Sequence, residues 1–299
     1  KGVVLQEIGE AADQPDDLVF ELAQQASYGE HPLGRPILGV EQTLNAIVRD
    51  DLYGFASTNY APHRTVISVA GAFDRSAILD TAKRWFEPRP AQTGPAIQPP
   101  ELPTANVKTA MRRLEQCHLV LARPAPSAVS DERFAARIFT EIFGGGMASR
   151  LFQEVRESRG LAYSIDASID QYSDAGRISV YAGCATKDAS EVVRITSDIW
   201  RQIASDGPTE AELRRAKAVA AANYAMAAEA PAMRAGSMAY ELLTFDRLVS
   251  IEDILKRIDS VSAADVRRVA QESLLRSPIA AGVGPKAGLA AAERFVSEP

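Results

Sequence analysis

Cysteine is nearly absent from this chain: its 299 residues contain only Cys117 and Cys184, far apart in sequence and without CxxC or Cys/His spacing. That excludes a disulfide framework and a cysteine zinc site, and points to a reducing compartment with both thiols as small buried hydrophobes in strands. Histidine is scarce too. His31, His63 and His118 are the three present, and no His-x-x-Glu-His or His-Glu-x-x-His occurs among them, so the close pairing from which a metal site is built is missing. Long apolar runs are lacking: Thr65–Phe73 and Ile279–Val283 fall well short of the ~20 residues needed to span a bilayer, which implies no membrane partner. There is no Lys/Arg run, and the formal net charge is -6, so no electrostatic footprint for nucleic acid exists. The opening residues 1–7 lack Met and the regions of a signal peptide, so the chain reads as part of something longer, with the cytoplasm as default localisation.

What is present is ample core-forming material. With 46% hydrophobic and 24% charged residues, a chain of this length can bury one large core or two ordinary ones. Six prolines between Pro88 and Pro103 cannot continue a helix or a central strand. They mark a linker (88–104) between a first part, 1–87, and a second, 105–299. In the first part, helical spacing runs through Asp17–Ser27, a second helix fits 41–56, Val66–Gly71 reads as a β-branched strand, and Ile78–Phe86 as a helix. In the second part, the order is a strand at Cys117–Ala122, helices at Asp131–Phe143 and Ser149–Ser158, a hairpin of Ala162–Ile169 and Arg177–Gly183, helices at Ala189–Ser205 and Glu210–Glu229, and a strand at Pro278–Gly284. The pattern predicts an α+β fold of two duplicated-type halves, each an antiparallel-rich mixed sheet with helices on one face, the first half incomplete.

Two features invite chemistry. Glu7, Glu10, Gln14, Asp17 and Glu21 recur at steps of three and four, which would align them on one helix face, although Pro15 interrupts that geometry. A solvated acidic face is the simplest reading of such a stripe. The run Gly144-Gly145-Gly146 before a helix could cradle phosphate, but it lacks the GK[ST] ending and the G-x-G-x-x-G spacing. A helix stop followed by a new helix start at Ser149 accounts for it better.

Longer matches go further. Val3-Val4-Leu5-Gln6-Glu7-Ile8, the loop His31-Pro32-Leu33-Gly34-Arg35-Pro36, Asn59-Tyr60-Ala61-Pro62 and above all the run from Gly144 through Arg150-Leu151-Phe152-Gln153-Glu154-Val155-Arg156 to Gly160-Leu161-Ala162-Tyr163-Ser164 resemble the pitrilysin/insulinase-type zinc metallopeptidases, in particular the bacterial and mitochondrial processing-peptidase branch. The resemblance spans nearly the whole chain. It implies that the two halves form a clamshell and that Glu7 is the third zinc ligand. The two His ligands and the general base would belong to an upstream segment, so residues 1–299 alone are expected to be inactive. It implies that Arg156 and Tyr163 reach the cleft from the second half, Arg156 holding substrate backbone and Tyr163 hydrogen-bonding the oxyanion of the tetrahedral intermediate. Asp17 and Glu21 fall where that branch keeps acidic residues that recognise Arg near the cleavage site. The implied activity is a zinc-dependent endopeptidase acting on extended, Arg-containing or presequence-like peptides, as a homodimer or paired with a related subunit. The alternative is a non-catalytic partner or scaffold subunit of a processing-peptidase-like complex.

Overall fold

The central strands of the second part are almost wholly apolar, and that dictates a sheet covered on both faces. The computed structural model describes residues 1–87, 96–101 and 103–297, so most of the predicted linker lies outside the described residues. In it, β1 (Asn106–Met111), β2 (Gln116–Pro124), β3 (Ala162–Gln171), β4 (Gly176–Ala185) and β5 (Ile279–Gly284) form one mixed sheet in the order β1-β5-β2-β4-β3. Only the β1–β5 pair is parallel. β5 is buried along its length, whereas β3 at the edge alternates buried with exposed residues.

Alternation along the strands sorts side chains between two faces. Ile178, Val180, Ala182 and Cys184 of β4 join Leu119 and Leu121 of β2 against α6 (Arg133–Gly144), α7 (Ala189–Asp206), α11 (Ala263–Leu274) and α12 (Lys286–Ser297). Phe139, Phe143 and Trp200 fill the middle of this layer, with Phe143 and Trp200 ring centroids 4.8 Å apart and the Trp200 indole N–H donating to Ser273 Oγ at 2.8 Å. Helices α8 (Glu210–Glu229), α9 (Pro231–Phe245) and α10 (Ile251–Ser260) extend this side. Cys117 and Cys184, distant in sequence, are direct partners across β2 and β4. Both are buried free thiols, as the composition suggested.

The opposite sheet face is covered from the first part. Helices α1 (Gly2–Asp13) and α2 (Pro15–Tyr28) come in succession, and α2 seats Val19 and Ala23 on Val120, Ala281 and Val283. The helices of the second part thus lie on one face of its sheet, as expected, and the other face is covered by α2 of the first part. The reason lies in β2 and β5, which present apolar residues to either side and would otherwise expose half of them to water.

Three local expectations are corrected. The stripe from Glu7 to Glu21 does not lie on one helix: Gln14 is extended (φ -93, ψ 112) and Pro15 opens a new helix, so Glu7 and Glu10 sit on α1 while Asp17 and Glu21 sit on α2. The helix expected over 41–56 is two, α3 (Glu41–Ala46) and α4 (Arg49–Asn59). The break falls at Ile47–Val48, where β-branched residues are extended and Asp51 accepts from the Val48 N–H at 2.8 Å to start the second helix. Val66–Gly71 forms no strand: among the described residues no neighbouring strand is available to accept its ladder. The helix expected at Ile78–Phe86 is present as α5 (Arg75–Phe86), capped by Asp74. Among the described residues no helix is long and apolar enough to cross a membrane.

Candidate functional site

The Gly-rich run serves a packing purpose. α6 ends where Gly144 meets β3 so closely that a Cβ would lie 2.6 Å from the Ala167 Cβ and 2.8 Å from its backbone nitrogen. The chain then turns, the buried Ser149 hydroxyl donates to the Gly146 carbonyl at 2.6 Å, and a helical segment restarts at Arg150. Instead of an ordinary α-helix, Phe152–Ser158 adopts π-helical bonding. Such insertions are uncommon and recur at functional sites. Gly160, at φ +63, supplies the left-handed turn into β3.

This segment is anchored at its start. Arg150 donates through Nε and an η nitrogen to both carboxylate oxygens of Glu212, at 2.7 and 2.8 Å. Glu212 also closes the N-terminal cap of α8, accepting from the Thr209 N–H at 2.8 Å. Hydrogen bonds from Arg150 foremost, and from Thr209, hold the Glu212 carboxyl down at about 2.

The π-helix and β3 bring Arg156 and Tyr163 together. The Arg156 guanidinium carbon lies 5.6 Å from the Tyr163 ring centroid and 4.9 Å from that of Phe152. Tyr163 is 76% exposed, and it sits where the β3–β4 register shifts between Ala162 and Ser164. A bulge there turns the phenol out of the pleat, a recognised way of aiming a side chain beside a site. Arg156 is exposed. Both groups can therefore offer hydrogen-bond donors to a ligand in solvent, which is what binding peptide carbonyls or an oxyanion requires.

Asp17 and Glu21 are neighbours on α2. Asp17 is exposed and Glu21 half-buried; burial first, and then the Asp17 carboxylate, push the Glu21 carboxyl upward. A third group went unread in the sequence. Phe20 of α2 stacks on Tyr181 of β4 at 5.4 Å, and the Tyr181 hydroxyl is 2.9 Å from His118 Nδ1. Burial pushes the phenol up to about 12, helped by Asp16 and Asp166, and lowers His118. The alternation Arg177, Ser179, Tyr181 along β4 carried a signal: polar atoms on the face that α2 only partly covers.

Glu7 is exposed on α1, and α1 buries no residue fully. Among the described residues no group of three or more His, Cys, Asp or Glu side chains could hold a metal ion. Two of the three histidines are engaged elsewhere: His31 accepts from the Leu33 N–H and contacts the Gln98 carbonyl, and His118 pairs with Tyr181. Glu7 can supply one carboxylate ligand and no more, so the residues present do not by themselves fit a zinc centre.

Comparison with known proteins bears on this geometry. The sequence matches the family profile described as "Peptidase M16 inactive domain" over residues 46–219. An uncharacterized zinc protease of Streptomyces coelicolor is 34% identical over 95% of this chain and 64% of its own length, and one of Bacillus subtilis is 30% identical over 97% and 70%. The chain thus spans about two thirds of the length of the curated relatives it matches. Among solved structures, a peptidase M16 inactive domain from Pseudomonas fluorescens superposes with TM-score 0.87 at 21% identity, covering 95% of this chain and 69% of that one. A chain of complex III from Candida albicans superposes with TM-score 0.89 at 19% identity, covering 99% and 73%. At these identities the structural likeness is one of fold.

Proposed function

The chain belongs to the peptidase M16 family, and from that premise we propose that it is the greater part of a zinc-dependent endopeptidase that cleaves extended peptides. The observation that carries this reading is the adjacent, exposed Arg156 and Tyr163, delivered by a π-helix and a β-bulge, with no side-chain hydrogen bond to either among the described residues. The relatives' naming as zinc proteases supports the metal. When bound, zinc would polarise a water and the scissile carbonyl; Glu7 would supply one ligand, the two His ligands and the general base coming from outside residues 1–299.

The groups of this chain have their own parts. Arg156 donates to substrate carbonyls and holds the peptide backbone, which allows broad tolerance of side chains. The Tyr163 hydroxyl donates to the oxyanion that forms as the carbonyl carbon becomes tetrahedral, a preorganised donor worth about 3 kcal/mol in comparable sites. Asp17 and Glu21, as an i, i+4 carboxylate pair, attract an Arg side chain of the substrate. The first part, 1–87, and the second, 105–299, would form the two walls of a cleft, with a second subunit, identical or related, completing the assembly.

Two observations favour a second reading. The matched profile is described as an inactive domain, and one structural neighbour is a chain of complex III from Candida albicans, so a non-catalytic partner subunit is the competing reading. A quenched peptide with an internal Arg, offered to the full-length protein with and without chelator, separates the two. Cleavage abolished by chelator and restored by zinc supports the peptidase; no metal-dependent cleavage, alone or with a co-purifying subunit, leaves the partner subunit.

A further inference from the structure

Around the π-helix, several arginines are held by carboxylates, and Arg156 is not one of them. Arg150 is paired with Glu212, Arg159 with Glu154 and Glu191, and Arg194 with Glu191 and Asp198. Arg150, Glu154, Arg159, Arg194 and Asp198 of these pairs line a cleft of about 600 Å³ between the π-helix and α7. Arg156, on the same segment, makes no side-chain hydrogen bond and no ion pair among the described residues. What lies against its guanidinium instead is two aromatic rings, Phe152 at 4.9 Å and Tyr163 at 5.6 Å.

The difference has a chemical consequence. A carboxylate would fix Arg156 but would neutralise its charge and occupy the very N–H groups that a substrate carbonyl needs. An aromatic ring attracts the cation through its quadrupole and takes none of those donors. Phe152 is well placed to hold the cation in this way. It is half-buried, one helical turn before Arg156, and its backbone N–H is tied to Ser149 Oγ at 3.4 Å.

We infer that Phe152 is a positioning residue, whose ring, together with that of Tyr163, holds the Arg156 guanidinium ready for peptide carbonyls while leaving its donors unspent. The inference rests on the peptidase reading for its ligand, an extended peptide backbone. Phe152 itself touches no substrate; it acts through Arg156.

The test is a double-mutant cycle in the full-length protein: Phe152→Leu, Arg156→Ala and both together, with Phe152→Tyr as the ring-preserving control. Two readouts are taken, kcat and KM on the quenched Arg-containing peptide, and affinity of the metal-free protein for the same peptide by fluorescence anisotropy. Phe152→Leu should weaken binding and raise KM roughly two- to fivefold, with kcat nearly unchanged, as expected for losing an exposed cation–π contact. Phe152→Tyr should restore wild-type values, and Phe152→Leu should add nothing in the Arg156→Ala background. If Phe152→Leu does not melt cooperatively, Phe152→Met, flexible and ringless, takes its place. An equal loss in both backgrounds, or no loss in either, overturns the inference. Peptide binding without cleavage by the wild-type protein, with the cycle intact, would sink the peptidase reading and leave the clamp standing; no binding at all would sink both.

Discussion

Replacing Arg150 by Met tests how the π-helix is anchored. The substitution keeps most of the aliphatic stem and removes a two-pronged ion pair whose partners are each 17% exposed, together with donors to the Gly207 carbonyl and Gln202. A hydrogen-bonded charge of this kind contributes about 1.5–3 kcal/mol. The Glu212 carboxyl, held at about 2 instead of the usual 4.5, points the same way. Arg150 is the largest cause of that depression. Arg150→Met should therefore cost about 2–3 kcal/mol, lowering Tm by about 4–12 °C for a lobe of this size. The pH dependence has a definite sign. A carboxyl depressed on folding contributes stability above its unfolded pKa and loses it as pH falls through the folded one, so this contribution drains away between about pH 4.5 and 2. In Arg150→Met that acid-side loss should shrink. Scanning calorimetry and acid titration of wild type and variant read both effects; an unchanged Tm with a superimposable acid profile would refute the anchoring argument.

Other consequences follow from the packing. Trp200→Ala opens a cavity beside Phe139 and Phe143 and removes the indole N–H that donates to the Ser273 hydroxyl, a loss of about 3–5 kcal/mol readable from chemical denaturation; a cost below about 1 kcal/mol would contradict the layered core. Gly144→Ala drives a methyl to 2.6 Å from Ala167 and should cost about 1–3 kcal/mol by overpacking, with peptide affinity falling as β3 and Tyr163 shift; a neutral melt would count against the close approach. Cys117 and Cys184, pushed by burial up to about 11 and about 12, should resist a disulfide-exchange reagent at pH 8 until the protein unfolds, whereas labelling of the folded protein within minutes would show that the strand pair opens.

Much of this molecule was legible in its residues, and the illegible parts have physical causes. Alternation and turn chemistry announced β2, the β3–β4 hairpin, α6, α7 and α8, because local burial and local propensity agree there. β1 escaped notice since an edge strand half-buried at Val107 and Ala110 shows little contrast, and its parallel partner β5 lies far along the chain. The π-helix could not be read, because no side-chain period records its bonding pattern. Arg156 and Tyr163 were found by resemblance, and their juxtaposition follows from the short path between them. Phe152 lay in the same run unnoticed, because its value depends on which ring faces which guanidinium. The seat of α2 on the far face of the sheet, and the pairing of Cys117 with Cys184, are long-range facts that spacing along the chain does not encode.

The measurement that bears most directly on the proposed site is the steady-state comparison of Tyr163→Phe with wild-type full-length protein on the quenched Arg-containing peptide. The phenol oxygen is the only atom removed, on a side chain already 76% exposed, so folding should be undisturbed. If Tyr163 supplies its donor to the oxyanion, kcat falls on the order of 10²-fold while KM stays close to wild type. A kcat equal to wild type would contradict the assignment and leave Tyr163 with no part beyond its contact with Arg156.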